Sequence, residues 1–187
     1  MSAVDTPTVA VLRLGHRPGR DERMTTHVGL TARALGADRV VLPANAAGSA
    51  DTVRDITDRF GGTFAVETTE SPTAVINGWD GVVVHLTMYG ERIQDVERAI
   101  RSAHQRDGAP LLCVVGAEKV PFDVYEAADW NVGVTNQPHS EVASLAVFLD
   151  RLFEGRELDA EWEGADQQVV PMATGKRLES VESDEKR

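Results

Sequence analysis

The sequence has a single cysteine, three lysines and few aromatic residues, and each shortage closes off a reading. One thiol cannot build an intramolecular disulfide framework, which suits a reducing compartment. It lies inside Leu111-Leu112-Cys113-Val114-Val115, where a small buried hydrophobe is expected rather than a nucleophile. Lysine is confined to Lys119, Lys176 and Lys186, every other cation is arginine, and the formal net charge is −11. Such an acidic, lysine-poor surface is expected of a protein kept soluble in a high-salt cytoplasm, and it does not by itself exclude a nucleic acid partner. No apolar run approaches the roughly eighteen residues of a membrane span. The segment MSAVDTPTV has no charged start followed by an apolar stretch, so a soluble, cytoplasmic chain without targeting is expected. His16, His27, His85, His104 and His139 are scattered, without a close pair, and no metal site is expected. Missing too are the G-x-G-x-x-G fingerprint, the Gly-Lys-Ser/Thr phosphate loop and the Gly-x-Ser-x-Gly elbow.

What is present fits one domain. At 187 residues and 42% hydrophobic, the chain can bury a core of ordinary size. Short apolar runs at 9–14, 39–43, 63–66, 81–86 and 111–115 alternate with helical patterns at 49–60 and 91–105. That rhythm predicts an α/β fold, a mostly parallel sheet with flanking helices. A final helix is predicted from about Pro138 to near Gly155, burying Val142, Leu145, Ala146, Leu149 and Leu152. Residues 1–155 read as the domain and 156–187 as an acidic extension. That extension carries a weak hairpin signal around Thr174-Gly175, with a polar tail from Glu179.

Four stretches carry hydrogen-bonding groups beside apolar walls. The first, RLGHRPGRDERMTTHVGLTARALGA at 13–37, concentrates Arg13, Arg17, Arg20, Arg23 and Arg33 in an acidic chain, which points to a phosphate or other anion. Gly15, Pro18 and Gly19 shape its loop, and Thr25-Thr26 stand where a helix cap is expected. The others are Thr87 to Gly90 after one strand, Gly116 to Pro121 after another, and Asn131 to Ser140 before the last helix. Ligands of open α/β sheets sit outside the carboxyl ends of strands, so these loops should converge on one rim.

The strings Arg13-Leu14-Gly15-His16-Arg17-Pro18, Thr25-Thr26-His27, His85-Leu86-Thr87-Met88-Tyr89-Gly90, Val115-Gly116-Ala117-Glu118-Lys119-Val120-Pro121 and Asn136-Gln137-Pro138-His139-Ser140-Glu141 extend the comparison to a known family. From about Val9 to Leu152 the chain resembles the archaeal tRNA cytidine-56 2'-O-methyltransferases of the SPOUT superfamily. The resemblance implies a C-terminal trefoil knot, which sequence rules alone would never propose. It also implies a homodimer and S-adenosylmethionine as methyl donor, with methylation of the ribose 2'-hydroxyl of cytidine 56 in the T-loop of tRNA. Through the resemblance, the cofactor loops comprise Leu86 and Thr87, then Gly116, Ala117, Glu118, Lys119 and Val120, then Val134, Thr135, Asn136, Gln137, His139 and Ser140. Their backbone groups would read the adenine edge.

Related SPOUT ribose methylases use an arginine from the first motif, and the position that aligns with it, ahead of Thr31-Ala32-Arg33, holds Leu30. The role is therefore expected to fall upstream, on Arg20, Arg23 or Arg17, clamping the flanking phosphate and polarising the hydroxyl. A guanidinium stays protonated and is no base. His27 or His139 is the expected base, with a helix-face contact in the dimer as the other reading of His27. An alternative of a different class is a non-catalytic α/β domain that holds RNA or a phosphorylated metabolite through the arginine loop, and uptake of S-adenosylmethionine separates the two.

Overall fold

The apolar runs become parallel strands whose alternation assigns each residue to one face of a sheet. The computed structural model describes residues 7–116 and 119–181. Ala117 and Glu118 of the expected cofactor loop, and 182–187 of the expected tail, lie outside the described residues. The elements are β1 (Val9–Arg13), α1 (Glu22–Ala34), β2 (Arg39–Pro43), α2 (Ala47–Phe60), β3 (Ala65–Thr69), α3 (Pro72–Asn77) and β4 (Val82–Arg92). They continue with α4 (Ile93–Arg101), β5 (Leu111–Val115), α5 (Phe122–Ala127), β6 (Trp130–Gly133) and α6 (Glu141–Phe153). The strand order is β3-β2-β1-β5-β4-β6, with every pairing parallel.

Period two sorts the core. Val9, Val11, Val84, Leu111, Cys113 and Val115 face a layer made by α1, α2, α4 and α6. Ala10, Leu12, Val83, Leu112 and Val114 face α3 and α5 through Ile76 and Val124. The same parity extends past the apolar residues: Arg13 continues the first face of β1 and His85 continues the second face of β4. Cys113 is fully buried as expected, and burial pushes its thiol well above the usual range.

Several boundaries differ from the sequence expectation. Helix α1 starts at Glu22 after Asp21, so Thr25 and Thr26 lie inside it. Helix α6 starts at Glu141, not near Pro138, because Ser140 Oγ accepts from Ala143 N at 3.2 Å and fixes the first turn. The strand expected at 63–66 runs from Ala65 to Thr69 on the sheet edge. The helix expected from 91 begins at Ile93 and passes into a π-helical turn at Ser102–Arg106. The hairpin is present as β7 (Gln167–Val170) and β8 (Arg177–Ser180), so Glu179 and Ser180 belong to a strand rather than to the tail. Strand β6 and helices α3 and α5 were not anticipated.

The largest departure is at the end of β4. Residues 87–90 do not turn directly into a helix; they form an irregular stretch, after which Glu91 and Arg92 pair again with Val132 and Gly133 of β6. A Cβ on Gly90 would overlap the carbonyl oxygen of Asn131, so only glycine permits this approach. The chain after β6 returns to the same place, where Asn136 Nδ2 donates to the carbonyls of Met88 at 2.7 Å and Gly90 at 3.0 Å. Gly90→Ala should force β6 away from β4 and cost about 1–3 kcal/mol, the range for overpacking, read as a lower denaturant midpoint at unchanged slope.

Candidate active site

Three segments meet at the carboxyl ends of β4 and β5. They enclose a cavity of about 690 Å³, lined by His85 to Tyr89, by Gly116, Lys119 and Val120, and by residues 138–141, with Tyr125 and Ser144 completing the wall. That volume suits a nucleoside-sized ligand. Seven of the expected cofactor residues line it: Leu86, Thr87, Gly116, Lys119, Val120, His139 and Ser140. Val134, Thr135, Asn136 and Gln137 do not, although Asn136 pins the β4 loop and the carbonyl of Gln137 lies 2.6 Å from His139 Nδ1. Gly116 is close-packed, since a Cβ there would stand 3.0 Å from Val120 Cγ2.

The floor of the cavity is held by a hydrogen-bonded chain across three elements. His85 Nδ1 meets Asn131 Oδ1 at 2.8 Å, and Asn131 Nδ2 donates to the Tyr125 carbonyl at 2.9 Å. Tyr125 Oη lies 3.2 Å from Thr87 Oγ1, and the Tyr125 ring stands edge-on to His85 at 4.7 Å. Burial pushes the His85 pKa down, with the Asn131 bond opposing it. Sequence reading missed His85 and Tyr125 as site residues. A histidine in an apolar strand reads as core, and α5 was hidden in a polar stretch. The available signal was strand parity, which puts position 85 on the face opposite Leu86.

The arginine segment separates into two populations. Arg13 is 1% exposed at the end of β1, with Nη1 3.6 Å from Glu141 Oε1 and Nη2 4.0 Å from Asp21 Oδ2. Arg17 grips Asp21 through Nε, Nη2 and its backbone N–H at 3.1, 3.0 and 2.9 Å. Those bonds, the side-chain ones first, hold the Asp21 carboxyl down at about 2. Since Glu141 lines the cavity, Arg13 ties the arginine loop to its wall. Arg20 and Arg23 are exposed and do not line the cavity.

Arg33 lies elsewhere: its Nη2 donates to the Gly61 carbonyl at 2.6 Å and its guanidinium covers the Trp162 ring at 4.3 Å. It anchors the segment after α6 and takes no part in the cavity. His27 lines an apolar groove with Leu30, Thr31, Ala34 and Leu35 of the α1 face and Val142 and Ala146 of α6.

A family model described as tRNA ribose 2'-O-methyltransferase, aTrm56, matches residues 60–179. The tRNA (cytidine(56)-2'-O)-methyltransferase of Natronomonas pharaonis is 71% identical over 94% of this chain and 97% of its own length. That of Haloarcula marismortui is also 71% identical, over 97% of this chain and 98% of its own. In fold, the chain is similar to the SpoU methyltransferase AviRb from Streptomyces viridochromogenes, solved in complex with the cofactor AdoMet. The TM-score is 0.56 at 14% identity, over 83% of this chain and 60% of that one. The fold is therefore of the SpoU type, and identity at this level over almost the full length shows that the chain belongs to the tRNA ribose 2'-O-methyltransferase family.

Proposed function

We propose that this chain methylates the ribose 2'-hydroxyl of cytidine 56 in tRNA with S-adenosylmethionine as donor. The observation that carries the reading is the strand-end cavity, lined by the loops after β4 and β5 and the start of α6, in a chain of this family. The residues fit the donor: a wall of buried Leu86 with half-buried Val120 and Tyr125 suits a planar base. Lys119, His139, Ser140 and Glu141 gather polar and charged groups for a zwitterionic amino acid. When bound, S-adenosylmethionine supplies an electrophilic methyl on a sulfonium sulfur. The protein must then hold a 2'-hydroxyl in line with it, accept the hydroxyl proton and exclude water.

His139 is the better-placed proton acceptor. It lines the cavity, and a carbonyl oxygen 2.6 Å from Nδ1 calls for a hydrogen there, so that Nε2 is the nitrogen that carries the lone pair in the neutral form of the ring. His27 instead sits in the α1/α6 groove. That groove, with Val147 of α6 exposed, supports a homodimer in which the start of α1 and the loop before it carry Arg23 and Arg20 of one copy toward the cavity of the other. This arrangement accounts for their distance from the cavity of their own chain, and gives them the role of clamping a tRNA phosphate at contact range.

The C-terminal trefoil knot is proposed on the return of residues 134–140 to the β4 loop, where Asn136 bonds Met88 and Gly90. The division into a methyltransferase unit at 1–155 and an extension at 156–187 remains part of the proposal. A cytoplasmic location is proposed from the substrate; among the described residues no helix is long and apolar enough to cross a membrane. The net charge of −11 and the high identity to haloarchaeal relatives support function in high salt.

Three outcomes test the reading. Gly116→Val should drive Val120 into the cavity and weaken S-adenosylmethionine binding at least tenfold by calorimetry; a variant that folds and binds like the parent removes this loop from the site. Ala146→Arg should convert a species of twice 20.3 kDa into one of 20.3 kDa by light scattering, with methylation lost. A parent that is already monomeric at micromolar concentration defeats the dimer. Arg20→Ala and Arg23→Ala should lower single-turnover methylation of an unmodified tRNA transcript by about a hundredfold, with S-adenosylmethionine affinity near the parent's. Parental rates in both variants would pass the role to Arg17 or to a histidine.

A further inference from the structure

Aromatic residues are scarce in this chain, and it leaves two of them in solvent. Five phenylalanines, three tryptophans and two tyrosines make up the set. Tyr89 and Phe122 are 75% and 73% exposed, more than any other large hydrophobic residue among the described ones. Trp162 lies under the Arg33 guanidinium, and every other aromatic residue is buried or half-buried. Both exposed rings stand at the same place. Tyr89 lines the mouth of the strand-end cavity, and Phe122, the first residue of α5, stacks on the cavity residue Tyr125 with centroids 6.4 Å and planes 21° apart. Tyr125 Oη meets Thr87 Oγ1 at 3.2 Å, and the backbone N–H of Tyr89 donates to the same oxygen at 3.4 Å. Exposed rings scattered singly need no explanation, but two on one rim mark a surface for a flat, apolar partner. The backbone that carries Tyr89 is also pinned, because Asn136 Nδ2 donates to the carbonyls of Met88 and Gly90 on either side of it. A platform ordered in advance loses little freedom when its partner arrives.

The chemistry of the site selects the partner. A ribose that brings its 2'-hydroxyl to the cavity carries its base on the adjacent carbon, so that base lies at the rim, where the rings are. An unstacked base is a flat π-surface, and its stacking on an aromatic ring survives ionic strengths that screen phosphate contacts. The α1/α6 groove to which the dimer was assigned contains neither ring, so that contact does not account for them. We propose that Tyr89 and Phe122 form a stacking surface for unstacked bases of the tRNA loop. Tyr89, which lines the cavity itself, takes the base of the nucleotide being methylated; Phe122, one ring further out beyond Tyr125, takes a neighbouring base. The assignment rests on the methyltransferase reading and deepens it by naming the residues that receive the nucleotide. Stacking tolerates any base, so this surface supplies affinity and placement rather than the choice of cytidine.

Binding of the full chain, with S-adenosylhomocysteine present, to an unmodified tRNA transcript that carries the fluorescent analogue pyrrolo-cytidine at position 56 measures both affinity and stacking. The parent should quench the probe. Tyr89→Ala and Tyr89→Leu should each weaken tRNA binding about tenfold and abolish the quench, whereas Tyr89→Phe should keep both. Phe122→Ala should weaken binding by a similar factor and leave the quench at position 56 in place. The factor lost in each variant should be the same at low and high salt, since a stacked ring releases no counterions. Parental affinity and quench in Tyr89→Ala overturn the proposal, as does a parent that does not quench the probe. A leucine variant that matches the parent also overturns it, because apolar area without a π-face would then suffice. Alanine variants that run as monomers by light scattering, where the parent is a dimer, overturn it in favour of a contact between subunits. A parent that binds and quenches the probe yet transfers no methyl group from S-adenosylmethionine to an unlabelled transcript is a different result: it removes the methyltransferase reading and leaves the stacking surface standing.

Discussion

The hold of β6 on the irregular end of β4 is the contact on which the cavity depends. A four-residue strand contributes little pairing of its own, so what fixes it is side-chain and close-packing chemistry at Asn131. The amide of that residue bonds His85 on β4 and the Tyr125 carbonyl on α5, while its backbone carbonyl packs against the one residue type, glycine at 90, that leaves room for it. Residues 87–90 are thereby freed from regular pairing without being left loose, and Asn136 closes the arrangement from the far side of β6. Backbone polar groups that would be stranded beside an apolar core gain partners in this way.

The parts of the fold legible in the sequence are those where burial on both faces makes a strand apolar throughout. Strands β2 and β5 run to the residue where expected, and β1 to within one, because every neighbour in a central parallel sheet is hydrophobic. The edge strand β3 is largely exposed and has no such signature, and its predicted limits slipped by two or three residues. Strand β6 was invisible for a different reason: Trp130-Asn131-Val132-Gly133 is short, and its central polar residue faces a partner that only the tertiary fold supplies. The start of α1 was misplaced because Thr25-Thr26 look like a better cap than Asp21. The Asp21 carboxylate makes no capping bond; Arg17 has claimed it, and the helix begins there because the Arg17–Asp21 clamp sets the loop.

The site was legible as loops and illegible as contacts. Strand ends rich in glycine and hydrogen-bonding residues were enough to place Gly116, Lys119, Val120, His139 and Ser140 around one cavity, because the carboxyl ends of parallel strands lie side by side. Which residues line the cavity follows from parity and from short helices, and here His85 and Tyr125 emerge only when β4, β6 and α5 are brought together. The same parity places Arg13 under α6, where it meets Glu141.

Arginine in this chain thus divides by environment rather than by sequence position, and ionic strength acts on the two populations differently. In molar salt the Debye length falls to roughly 3 Å, so exposed charge exerts little attraction beyond contact and counterion release drives little affinity. Buried guanidiniums escape that screening: Arg13 between Asp21 and Glu141, and Arg33 over Trp162, act as structural ties whatever the ionic strength. Exposed arginines retain value only where a phosphate can be brought into direct, bidentate contact. A tRNA-binding surface on a protein of net charge −11 must then depend on geometry at a few such residues, on stacking and on an unstacked loop nucleotide, rather than on a broad positive field. Arg20 and Arg23 lie beside the Arg17–Asp21 clamp at the start of α1, exposed on a stretch whose shape that clamp sets.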